Sequence, residues 1–286
     1  MNPTELYKPP GCFTLDTLKD KPQIRLGIQG YGGTGKTWAA LTFPNPVVLN
    51  LDRGLGAHIG RSDVIEVPFY RSEFCGTANQ LKDKLLLWLE KEANKLTPEQ
   101  TLVFDGCTSL QNAFHRWFSD NQMSFLTKAG KVDDFAEWAV KKKYFAEIME
   151  LFKTLKCNVV FISHEAERAD KATSPGAAPT YSGKIRPLLS GSFGDELVNH
   201  FTDWLRQLAA DKPDVNNTKP ETLQAFGLTQ KEFKEMCDSF PRNTIYYWQT
   251  EGDSVFDAKC SSLVNFPRFL KADYSSFLRW GRKQIK

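Results

Sequence analysis

The stretch Gly30-Tyr31-Gly32-Gly33-Thr34-Gly35-Lys36-Thr37 matches the Walker A pattern GxxxxGK[ST] at every fixed position. Upstream, Ile24-Arg25-Leu26-Gly27-Ile28 reads as a short buried strand. Downstream, Trp38-Ala39-Ala40-Leu41 opens a helix that must end before Pro44. The glycines let consecutive backbone N–H groups turn towards a β-phosphate, and the helix N-terminus adds a favourable dipole. Lys36 is expected to pair the β- and γ-phosphates, and Thr37 to offer its hydroxyl to Mg²⁺. A bare glycine-rich turn would lack these flanks. Gly30, Gly32, Gly33, Thr34, Gly35, Lys36 and Thr37 are thus the expected ATP-binding residues.

With 286 residues, 41% of them hydrophobic, the chain can bury one large α/β core. A net charge of +3 is too small to announce a nucleic-acid surface, so any such surface must be local. The opening residues Met1-Asn2-Pro3-Thr4-Glu5-Leu6-Tyr7 lack a signal-peptide pattern, and no run approaches the roughly 18 apolar residues of a spanning helix. The six cysteines are scattered without a CxxC pair, and the four histidines show no ligand spacing. The expectation is a cytoplasmic protein with reduced thiols and no membrane partner.

Residues 1–22 read as a Pro-rich arm, 23–263 as the core with an insertion at about 210–243, and 264–286 as a helical basic tail. Within the core, Pro46 to Asp52 and Thr101 to Asp105 are strands ending in carboxylates, and Asn158 to His164 is a buried strand ending in a polar residue. Residues 79–94 and a long stretch from Phe135 to Leu155 are helical by spacing. Residues 119–133 and 166–187 read as loops, the insertion holds one helix near 229–239, and Thr244–Thr250 pairs with Val255–Ala258 as a hairpin. Helix–strand alternation after such a loop predicts a mostly parallel sheet flanked by helices, with chemistry at its carboxyl edge.

Three polar residues fall at that edge beside the loop. Asp105 closes the apolar strand TLVFD, as a Walker B carboxylate holding Mg²⁺ would. Asp52 is placed to orient or deprotonate the attacking water, or else merely caps an Asx turn before Gly54. His164 is placed to touch the γ-phosphate, or else to cap its strand. In the loop that follows, Arg168, Lys171, Lys184 and Arg186 are candidate phosphate contacts, and Tyr181 is a candidate base-stacking ring; a solvated surface loop has the same composition. Lys128 and Lys131 with Phe125 and Trp117 form a weaker set.

In this order, the Walker A loop, VVLNLD, TLVFDGCTSL and NVVFISHE resemble the RecA-type ATPase core. They look most like the phage-encoded RecA-like proteins that include the Sak-type single-strand annealing recombinases. Pro179-Thr180-Tyr181-Ser182-Gly183-Lys184 and the pair Tyr247-Trp248-Gln249-Thr250 and Asp257-Ala258-Lys259 extend the likeness over roughly 13–275. The resemblance implies a RecA-like P-loop core with a C-terminal antiparallel β extension. It makes Asp52 the counterpart of the catalytic carboxylate, usually glutamate, and His164 the counterpart of the γ-phosphate-sensing glutamine. Lys259 becomes a lysine donated to a neighbouring subunit's nucleotide. Here Cys260-Ser261-Ser262 follow it, so the family's second cationic finger is missing. The implied protein is a slow, Mg²⁺-dependent ATPase that self-associates into a ring or filament, binds single-stranded DNA and meets a single-strand-binding protein in phage recombination. An assembly or packaging motor, or a nucleotide switch without DNA, stays open. A small-molecule kinase is disfavoured, because the loop lacks convergent arginines.

Overall fold

On the strand Thr101–Asp105, Leu102 and Phe104 enter one hydrophobic cluster and Val103 enters another. The same alternation separates Val47 and Leu49 from Val48, and Val159 and Phe161 from Val160 and Ile162. Side chains alternate across a strand, so apolar runs of this kind demand cover on both faces. Each such side chain contributes about 1.5–3 kcal/mol on burial.

The computed structural model describes residues 23–169, 181–189, 193–261 and 266–281. Its strands are β1 (Arg25–Gly30), β2 (Pro46–Asn50), β3 (Ile65–Pro68), β4 (Thr101–Asp105), β5 (Asn158–Ala169), β6 (Tyr181–Pro187), β7 (Asp203–Asp211), β8 (Thr244–Gln249), β9 (Lys259–Cys260) and β10 (Phe269–Lys271). The helices are α1 (Lys36–Ala40), α2 (Ser72–Cys75), α3 (Ala78–Lys91), α4 (Cys107–Asn121), α5 (Asp134–Thr154), α6 (Phe193–Leu197), α7 (Pro220–Phe226), α8 (Gln230–Asp238) and α9 (Tyr274–Gly281). The sheet order is β10-β8-β7-β1-β5-β4-β2-β3, with β6 beside β5 and β9 beside β7. From β7 to β3 every pairing is parallel, and β8, β9 and β10 are antiparallel. The expected α/β architecture with a C-terminal antiparallel extension is therefore present. One face is covered by α3, α4 and α5, and the other by α1 and α9. Gly27 is obligatory in β1, since a Cβ there would lie 1.9 Å from the Trp204 ring. No described helix is long and apolar enough to cross a membrane.

Four segments differ from expectation. The stretch 166–187 is a ribbon over its described residues: β5 continues to Ala169 and pairs antiparallel with β6, Ala166 opposite Arg186 and Glu167 opposite Ile185. The Ile185 N–H donates to the Val255 carbonyl at 2.7 Å, a long-range tie that local composition does not reveal. The hairpin of 244–250 with 255–258 does not form. Both edges of β8 are taken by β7 and β10, and the Asp253 carboxylate accepts from the Val255 and Phe256 amides, turning the chain away. The insertion carries two helices rather than one, because Pro220 starts α7 at its first turn instead of breaking the chain. The stretch 119–133 is only partly loop: α4 runs on to Asn121, a 3₁₀ turn follows, and Leu126 bridges Val132. Of residues 264–286, the described part supplies β10 and α9, with Phe277 buried against the core.

Candidate active site

β1 ends at Gly30, level with His164 on β5, and β4 ends at Asp105 one strand further on. A strand therefore lies between the two phosphate-site motifs, and it delivers the histidine between them. The loop after Gly30 uses the left-handed region at Gly33 (φ 79°) and Gly35 (φ 80°). At Gly35 a Cβ would also meet the Tyr246 ring at 2.9 Å.

Lys36 is buried and donates to the carbonyls of Gly30 and Tyr31 at 2.8 and 2.7 Å, closing the loop on itself. Burial pulls its pKa down to about 8, against the pull of Asp105, Glu165 and Asp52. The Thr37 hydroxyl donates to Asp105 Oδ2 at 2.8 Å, joining the two motifs across the intervening strand. Burial, and then repulsion from Asp52, push Asp105 up to about 6, opposed by Thr37 and Lys36. A Cβ on Gly54 would lie 3.0 Å from Asp52 Oδ1 and 3.9 Å from Asp105 Oδ2, so the two carboxylates flank one small gap.

Asp52 also makes the Asx turn, accepting from the Gly54 amide at 3.1 Å. The turn is held from below by Asn50, whose Oδ1 accepts from the Asp52 and Arg53 amides at 3.3 and 3.0 Å. His164 is half-buried. Burial and the Lys36 charge depress its pKa, and Asp52 acts in the opposite sense. Its carbonyl accepts from the Leu188 N–H at 2.7 Å, which ties the histidine's backbone to the end of the ribbon. Lys36, Thr37, Asp52, Asp105 and His164 thus meet at one edge.

The remaining expected residues lie elsewhere. Lys259 sits on β9 opposite Trp204, and its ammonium donates to the Asn199 carbonyl at 3.3 Å. Arg168 falls on β5 and Tyr181 begins β6; Lys171 lies outside the described residues. Lys184 is exposed and sits 3.7 Å from Asp257, and Arg186 is half-buried. Phe125 stacks on Phe118 and meets Trp117 edge-on, as core aromatics do.

Sequence reasoning missed a buried network directly beneath the loop. Glu165 accepts from Arg206 through both oxygens at 3.0–3.2 Å, and from Gln29 Nε2 at 3.4 Å. The Trp204 indole N–H donates to Gln29 Oε1 at 2.7 Å, and that of Trp248 to Gln207 Oε1 at 2.6 Å. The signal was a glutamine following the apolar residues Leu26-Gly27-Ile28 of β1, one residue before Gly30.

A family model described as an AAA domain matches residues 23–202. No curated protein matches the chain. Among solved structures, the assembled ATPase EscN of the enteropathogenic E. coli type III secretion system is 12% identical with a TM-score of 0.36. That match covers 65% of this chain and 43% of that one. A prototypical ATPase of the type III secretion system of pathogenic bacteria is 12% identical with a TM-score of 0.35, covering 64% and 50%. The chain thus spans half or less of those structures. The family match runs from the start of β1 past the loop, Asp105 and His164 to the foot of β7, more than half of the sequence, and the chain belongs to the AAA domain family of P-loop ATPases.

Proposed function

We propose that this chain is a Mg²⁺-dependent ATPase whose nucleotide state governs its hold on single-stranded DNA. The observation that carries the ATPase reading is the 2.8 Å bond from Thr37 to Asp105, which brings the loop's hydroxyl and the second motif's carboxylate to one point. Those two hard oxygens suit Mg²⁺, which takes few protein ligands and keeps water and phosphate oxygens for the rest. When bound, the ion would neutralise charge on the β- and γ-phosphate oxygens. Held there, it would also offset the repulsion between Asp52 and Asp105.

The loop amides hold the triphosphate, and Lys36 leaves the Gly30 and Tyr31 carbonyls for the phosphates. Asp52 orients a water. That water's oxygen bonds to the γ-phosphorus as the bond to the β,γ-bridging oxygen breaks. The bridging electron pair stays with ADP, and the water proton passes to Asp52. His164 touches the γ-phosphate and reports its presence to β6 through Leu188. Lys259 acts on the nucleotide of a neighbouring copy, so turnover is slow until copies assemble as a ring or filament. Lys184 and Arg186, two residues apart on β6 and so on one face of the strand, support a backbone-contacting ribbon, with Arg168 and Tyr181 on its two strands; Lys171 is a further candidate contact. The resemblance to annealing recombinases supports a role in phage DNA recombination in the host cytoplasm, beside a single-strand-binding protein.

The test is ATP turnover with and without single-stranded DNA, together with DNA binding across a salt series. Turnover is expected to rise with DNA. The logarithm of affinity should fall against log salt by about 0.7 per phosphate contact. Arg186→Ala should lower DNA affinity at unchanged nucleotide affinity. No DNA binding at low salt removes the DNA half of the reading. A nucleotide switch is the second reading, favoured by the Asx turn that already engages Asp52; it is recognised by ATP binding without turnover.

Lys36 also predicts a pH dependence. Burial holds it at about 8, and phosphate charge restores its ordinary value, so binding takes up a proton wherever the free chain holds Lys36 neutral. ATP affinity should be flat below about pH 8 and fall above it, approaching about tenfold per unit. Titrations with a fluorescent ATP analogue across this range check the point. A flat profile excludes Lys36 as a phosphate ligand.

A further inference from the structure

Arg53 follows Asp52 directly and holds φ at 67°, in the left-handed region that non-glycine residues enter at a cost of about 1–2 kcal/mol. The turn enforces this conformation through the Asn50 side chain, which accepts from the Arg53 amide and donates to Glu66 Oε1 at 2.8 Å. Glycine would sit there without strain, and glycine occupies position 54 next door. What strained arginine adds is a guanidinium. That group is exposed and rests 5.3 Å from the centroid of the Tyr70 ring, which it shares with the Arg71 guanidinium at 5.7 Å. Among the described residues an aromatic face, rather than a carboxylate, holds it. An exposed cation–π contact is worth only about 0.5–1 kcal/mol, so a phosphate oxygen competes with it easily.

Its place in the site supplies the rest. The turn that strains Arg53 also presents Asp52 beside Asp105, so the backbone of Arg53 starts from the same corner as the two carboxylates, while the resting guanidinium lies over Tyr70, just past the end of β3. Transfer of the γ-phosphoryl group spreads charge over three equatorial oxygens, and cationic groups there accelerate it. Lys36 is the cation of the loop, and Lys259 lies on β9 away from that corner.

We infer that Arg53 is a catalytic arginine acting within its own chain, with Tyr70 as its resting place. It rests on the ATPase reading above. When ATP fills the loop, the guanidinium leaves Tyr70 and donates to the γ-phosphate oxygens as the new bond from water forms and the bond to the bridging oxygen breaks. Arg53 exchanges no proton and makes no covalent bond. The left-handed backbone fixes where the side chain leaves the turn, so the move from Tyr70 to the phosphate is made by the side chain alone.

The experiment compares wild type, Arg53→Gly and Arg53→Lys. Glycine keeps the turn and removes the guanidinium, so the melting temperature of Arg53→Gly should equal or exceed that of wild type. Binding of a non-hydrolysable ATP analogue should change by no more than about twofold. The kcat should fall on the order of 10³-fold with KM little changed, and ADP with aluminium fluoride, a mimic of the transferring phosphoryl group, should lose its tight complex. Arg53→Lys should recover part of both. An Arg53→Gly chain that matches wild type in turnover and in the fluoroaluminate complex overturns this inference and leaves the ATPase reading standing. A wild-type chain that neither hydrolyses ATP nor traps ADP–fluoroaluminate sinks both.

Discussion

Lys36→Ala is expected to abolish ATP turnover and to weaken ATP binding by a factor on the order of 10²–10³ or more, without unfolding the chain. The loss is large because the ammonium is already aimed: it closes the loop on the Gly30 and Tyr31 carbonyls, from where a short swing meets the phosphates. The chain should stay folded because this charge is a burden on the free protein. Its folded pKa of about 8 lies below its ordinary 10.5, so between these values the unfolded chain binds more protons and stability rises with pH. Below about pH 8 that gain is absent. Wild type should therefore gain stability from about pH 8 to about pH 10, and Lys36→Ala should lack the gain. Thermal melts across this range, paired with a nucleotide-binding assay, separate a lost ligand from a broken fold. A variant that binds ATP normally would remove the loop from the mechanism.

Arg206→Ala is expected to cost about 3–5 kcal/mol of stability. The Glu165 side chain is 0% exposed and that of Arg206 13%, so alanine strands a buried carboxylate with only the long bond from Gln29. Replacing both partners together by Leu and Met should recover most of that loss, since an apolar pair leaves no charge behind. Denaturant unfolding of the single and double variants measures the difference. Additive losses would mean that the pair contributes packing alone. Because Glu165 follows His164, the single variant should also loosen the carboxyl end of β5, and nucleotide affinity should fall with stability.

How much was legible follows from which forces are local. Gly30 to Thr37 could be read because a phosphate loop needs fixed residues at fixed intervals, whatever surrounds it. Asp52, Asp105 and His164 could be read because a parallel sheet brings the carboxyl ends of its strands to one edge, so strand-final polar residues must meet. Glu165 with Arg206 could not: their partnership joins β5 to β7 across β1, and neither neighbourhood in sequence hints at the other. The β5–β6 ribbon was hidden for the same reason, since the ties from Ile185 and Leu188 reach distant main chain. Composition alone made 166–187 look like a loop. Arg53 escaped notice because its significance lies in a backbone angle.

The two indoles beneath the loop have a consequence for how it meets a ligand. Trp204 steadies Gln29, which precedes Gly30 in β1, and Trp248 steadies Gln207, whose carbonyl packs beside Gly30. The strand ends beneath the loop are thus held by two buried tryptophans that hydrogen-bond their glutamines. A ligand bound above them would meet strand ends that are already tied down, so the ordering cost of binding is expected to fall on the loop and on Lys36 rather than on the sheet.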